Sequence, residues 1–142
     1  MKPLFELCAV ILVLLTACHP NQETTLVDNM TVINKTQFMN PVLIHTVFFW
    51  TKVGTTDEQK KAFEAGLVKL GTCPQIGAFY WGPPAATEKR GVVDNSYDYA
   101  INVHFESLEM QAAYQSEPIH MEFIENHQDL WDKVVVYDNQ VR

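Results

Sequence analysis

The stretch 42–51 reads Val-Leu-Ile-His-Thr-Val-Phe-Phe-Trp-Thr, a run of β-branched and aromatic residues that is largely apolar on both alternating faces. His45, Val47 and Phe49 fall on one side, and Ile44, Thr46, Phe48 and Trp50 on the other. Such a strand has no face to offer water, so each side of its sheet must be covered. An open sheet with one solvated face does not meet that demand.

The rest of the chain supplies one cover. Thr56 with Gln59 forms a capping-box pattern that opens a helix, Phe63, Leu67 and Leu70 recur at helical spacing, and Gly71 marks its stop. Residues 76–81 return as a strand. Gly82-Pro83-Pro84 ends it, and 85–95 is a polar loop. Tyr97, Tyr99, Ile101, Val103 and Phe105 then alternate with Asp98, Ala100, Asn102, His104 and Glu106, the period of two that marks a strand. Ser107 caps a helix through about Ser116, and Pro118 suits the first turn of another through about Asp129. Residues 133–137 close the chain as a strand. The order β-α-β-β-α-α-β predicts an α+β, ferredoxin-like antiparallel sheet with helices on one face. Phe48 and Trp50 then point away from the helices, so a second copy of the sheet is the expected cover, giving a homodimer.

A chain of 142 residues has room for one globular unit. Ten Lys and Arg against seventeen Asp and Glu leave a net charge of −7, the wrong sign for holding a nucleic-acid backbone. Before the domain come Lys2, an apolar run from Leu7 to Leu15 and small residues, the order of a secretory signal, and the run is shorter than the ~20 residues of a membrane span. Leu15-Thr16-Ala17-Cys18 resembles the lipobox of bacterial lipoproteins, with Glu6 a departure from the usual apolar approach. The expected division is a signal peptide over 1–17, a tether over 18–40 that begins at a lipidated Cys18, and a domain over 41–142. The expected location is the bacterial cell envelope, facing the periplasm, with the membrane reached through Cys18 alone. Loss of Cys8 with the signal and acylation of Cys18 leave Cys73 as a small filler at a helix end, with no disulfide.

His45-Thr46-Val47-Phe48-Phe49, Phe79-Tyr80-Trp81-Gly82, Phe105-Glu106-Ser107, Tyr114, Pro118-Ile119-His120, Phe123 and Trp131 together resemble the stress-responsive dimeric α+β barrel family, often called Dabb, across 42–138. The resemblance implies ferredoxin-like monomers paired into a dimeric α+β barrel. By likeness to a plant polyketide cyclase of this family, it also implies a cofactor-free pocket between sheet and helices. In that likeness the acid/base pair falls on Tyr114 and His120. The pocket lining falls on His45, Val47, Phe49, Phe63, Leu67, Phe79, Ile101, Phe123 and Trp131. Glu64 stands where the cyclase is aromatic, Ile124 where it has glycine, and Tyr99 where it has histidine.

Read on their own chemistry, a neutral-pH histidine moves protons and a tyrosine hydroxyl orients a carbonyl. Tyr114 and His120 lie either side of the break at Pro118 and can meet in one cavity. The alternative from the same residues is a histidine bonded to a helix end and a core tyrosine. His104 lies on a polar strand face, His127 on an exposed helical position, and neither these nor Asp98 has metal-ligand spacing, so no metal site is expected. The expected function is a lipid-anchored homodimer, connected by its family name with stress, that binds a small apolar molecule without a cofactor. A cofactor-independent cyclase or lyase using His120 and Tyr114, a monooxygenase-like dimeric barrel enzyme, and an interaction module with a filled core are the alternatives.

Overall fold

The computed structural model describes residues 31–34 and 40–142, so the expected signal segment, Cys18 and most of the tether lie outside the described residues. The elements run β1 (Thr31–Asn34), β2 (Leu43–Thr51), α1 (Asp57–Leu70), β3 (Ala78–Gly82), β4 (Tyr99–Phe105), α2 (Leu108–Gln115), α3 (Pro118–His127), a 3₁₀ turn (Gln128–Leu130) and β5 (Trp131–Gln140). The strands form one sheet in the order β1-β3-β4-β2-β5, every neighbouring pair antiparallel. From β2 onward this is the expected ferredoxin-like α+β order. β1, which pairs with β3, lies inside the span read as tether.

Local chemistry sets the helix ends. Thr56 Oγ1 accepts from the Gln59 amide at 3.2 Å while Gln59 Oε1 accepts from the Thr56 amide at 2.9 Å, which opens α1 with both ends of a capping box. Gly54, at φ +91°, turns the chain from β2 toward it. Phe63, Leu67 and Leu70 of α1, Tyr114 of α2 and Phe123 of α3 meet Leu43, Val47, Phe49, Tyr99, Ile101, Val103 and Phe105 of the central strands in one core. All seven strand residues are odd-numbered positions of β2 and β4, so the helices share one sheet face. Where α1 and α3 pack together, the His127 ring lies against Gly66 and fills the space a side chain there would need. His127 also packs on Phe63 and Phe123, so it is half-buried and not the exposed helical residue expected.

The strand expected from Tyr97 starts at Tyr99, and two other boundaries differ from expectation for visible reasons. The third strand begins at Ala78 because the Ile76 amide is turned back onto the Cys73 carbonyl at 3.1 Å, and sheet bonding resumes only with Gly77 on His104. The last strand runs to Gln140, well beyond 137, because β2 gives it a partner along its whole length, from Thr51↔Trp131 to Leu43↔Gln140. On the opposite sheet face Ile44, Thr46, Phe48 and Trp50 are half-buried. Among the described residues, their cover comes from the edges. Tyr97 stands 4.8 Å from Phe48 by ring centroids, and the Lys133 ammonium lies 4.2 Å from the Trp50 ring.

Candidate functional site

Helices α2 and α3 meet at a sharp break. The Ser116 and Glu117 amides close on Ala113 and Tyr114 carbonyls, and Pro118 starts α3 without needing an amide partner. The break folds residues six apart in sequence onto each other: the rings of Tyr114 and His120 lie 4.2 Å apart, tilted by 39°. His45, the third residue of β2, points to the same place, 6.2 Å from Tyr114 by ring centroids. Its cross-strand partner is Asp138, and His45 Nδ1–H donates to Asp138 Oδ1 at 2.6 Å.

These groups form one end of a cavity of about 210 Å³ between the helices and the β2–β5 half of the sheet. Val47, Phe49, Ile101, Phe123 and Trp131 line it together with His45, Tyr114 and His120. Phe63, Leu67 and Phe79 do not; each is fully buried in solid packing beside it. Leu70, Gln115, Ile124, Val134 and Val136 complete the wall. Of these, the resemblance flagged only Ile124. Asp138 was missed altogether, because strand residues ending at 137 left it outside the sheet. The alternation Val134, Val136, Asp138 is the signal that places it on the cavity face opposite Phe49, Val47 and His45.

The proton positions follow from the partners. His120 Nδ1 is 3.2 Å from the Gln115 carbonyl oxygen, which only accepts, so Nδ1 carries the hydrogen and Nε2 of the neutral ring carries a lone pair. Burial holds His120 below the ordinary imidazole range; the Gln115 bond opposes that in part, and the charge of nearby His45 adds to it. Burial drives the Tyr114 phenol far above its usual range, so it stays a neutral hydroxyl. The site therefore offers a lone pair on a neutral imidazole, a phenolic O–H, and a second imidazole held by a carboxylate, against apolar walls.

The remaining candidates lie elsewhere. His104 donates from Nε2 to Asn102 Oδ1 at 2.7 Å on the face turned away from the helices, and Asp98 accepts from the Thr51 amide and hydroxyl. Among the described residues no group of three or more His, Cys, Asp or Glu is gathered in a way that could hold a metal ion. Cys73 is buried in the core just past α1. Glu64 and Tyr99, both singled out as departures, meet each other: the Tyr99 hydroxyl donates to Glu64 Oε1 at 3.0 Å, and burial followed by that bond raises its pKa strongly.

A family model described as the Stress responsive A/B Barrel Domain matches residues 43–141. Olivetolic acid cyclase of Cannabis sativa is 26% identical over 95 residues, covering 66% of this chain and 91% of the cyclase. A dimeric ferredoxin-like protein from Thermobifida fusca superposes with a TM-score of 0.60 at 18% identity, over 75% of this chain and 97% of that one. A hydroxynitrile lyase from Passiflora edulis does so with a TM-score of 0.59 at 21% identity, over 70% and 93%. At those identities the two structures speak for the fold.

Proposed function

The chain belongs to the stress responsive A/B barrel domain family, and from that premise we propose that it is a lipid-anchored homodimer of the bacterial cell envelope that holds a small, mainly apolar molecule in the cavity of each subunit. The observation that carries this reading is the cavity itself, apolar on most of its wall and polar at one end where His45, Tyr114 and His120 converge. The half-buried apolar face of Ile44, Phe48 and Trp50 and the dimeric state of the Thermobifida fusca relative support the homodimer. The lipobox-like Leu15-Thr16-Ala17-Cys18 supports the anchor. A link to stress rests on the family's description. Mass spectrometry of small molecules released by organic solvent from the native purified protein tests the central claim. A compound recovered at near one per chain, and lost when the cavity residues are changed, is the expected result; a protein that carries nothing and takes up no apolar probe contradicts it.

Replacing Cys18 with Ser is expected to move the protein from the membrane pellet to the soluble fraction, since two acyl chains are what make attachment stable. A Cys18→Ser protein that sediments with membranes after a carbonate wash, as wild type does, removes the anchor from the proposal.

The tautomer of His120 favours a second reading, a cofactor-independent cyclase or lyase, in keeping with the cyclase relative. In it, Nε2 takes a proton from the carbon beside a carbonyl while the Tyr114 hydroxyl donates to that carbonyl's oxygen and steadies the enolate. The enolate carbon attacks a second carbonyl of the same molecule. The alkoxide so formed takes the proton back from His120, which returns the site to its starting state.

A further inference from the structure

We infer that Ile124 selects the size of the ligand and that the cavity takes a compact, uncharged carbonyl compound; this rests on the reading of the cavity as a binding site. Ile124 lies one helical turn beyond His120 on α3, so the two side chains share a face, and both line the cavity. Across from α3, the exposed Val134 and Val136 of β5 form the other side of the opening, while Val47, Phe49, Leu70 and Ile101 are buried and close the far end. A ligand whose carbonyl reaches Tyr114 and His120 must fit between that buried floor and the branched side chain of Ile124. The space is about 210 Å³, below the ~300–1,000 Å³ of pockets that take drug-sized molecules.

Charge narrows the class further. None of the lining residues is Lys or Arg, and the carboxylate beside the site, Asp138, already holds His45. An acid or a phosphorylated compound finds no Lys or Arg here, and the one imidazole paired with a carboxylate, His45, is already matched by Asp138, so the anion bears the desolvation cost of an unpaired charge. A neutral ketone or aldehyde needs only the Tyr114 hydroxyl for its oxygen and apolar wall for its chain.

The test is binding of a ketone series of rising bulk, from butan-2-one through hexan-2-one and acetophenone to 2-acetylnaphthalene, to the full-length chain and its Ile124→Ala and Ile124→Trp variants. Alanine is a stronger helix former than isoleucine, so the first variant keeps α3, and a thermal melt checks both. Wild type is expected to gain roughly fourfold in affinity per added methylene up to a size limit and then to lose binding. Ile124→Ala should shift that limit upward by about three carbons, the number it removes, and Ile124→Trp should shift it downward. A limit that stays put in two folded variants overturns the role of Ile124. Butanoate binding as tightly as pentan-2-one overturns the uncharged class. If wild type binds no member of the series, the reading of the cavity fails, and that result is distinct from an unmoved limit.

Discussion

Replacing His120 with Ala will lower the rate of the reaction, where the cavity carries one out, by about 10²–10⁴-fold, because that is what a positioned general base contributes. Affinity for the same ligand should fall by no more than about tenfold, since one hydrogen bond is worth ~0.5–1.5 kcal/mol net. Tyr114→Phe should follow the same split, as its hydroxyl acts mainly on the charge that develops on the carbonyl oxygen. The pH profile adds a check that packing alone does not move. Nε2 works as a base only when the ring is neutral, and burial keeps His120 neutral below its ordinary titration point. The acid limb of kcat/KM should therefore fall at a pH below about 6.5. Equal losses of affinity and rate, with a lowered Tm, would assign His120 and Tyr114 to the core.

Phe48→Asp is expected to convert the dimer to a monomer at micromolar concentration by light scattering. Phe48 lies on the sheet face away from the helices, where among the described residues the aromatic rings beside it are Tyr97 and Tyr137. In a two-fold interface each substitution counts twice. Losing two buried phenylalanines at ~1.5–3 kcal/mol each weakens association by roughly 10²–10⁴-fold, before the cost of burying the carboxylates is added. Melting should also become independent of protein concentration, which for the wild-type dimer it is not. A wild-type chain that is a stable, well-folded monomer at that concentration would remove the dimeric barrel and leave Phe48 and Trp50 to be covered by something else.

Sequence patterning reached the frame of this fold more easily than its site. The period of two in Tyr99, Ile101, Val103 and Phe105 and the reciprocal bonds of Thr56 and Gln59 are local, so a short window contains their causes. Asp138 is different. Its position depends on a partner 93 residues away, and the polar run Asp138-Asn139-Gln140 has no strand propensity of its own. Patterning also assigns a face without saying whether room is left on it. Phe63, Leu67 and Phe79 point inward as expected and end in solid packing. Phe123 and Trp131, equally apolar, border open space. His127 shows the same limit, because its burial is decided by the missing side chain of Gly66 on another helix.

The bond between His45 and Asp138 joins the first apolar strand of the domain to its last, across 93 residues. On the ribosome, or during threading from the N-terminus, His45 emerges long before its carboxylate exists, and for all that time the cavity lacks the wall that β5 brings with Val134 and Val136. The site is thus dated by its own topology. No partial chain short of residue 138 can hold the imidazole in place, and closing so long a loop belongs to the slow, non-local class of folding events. Whatever the cavity binds, it can bind only once the chain has been made through residue 138.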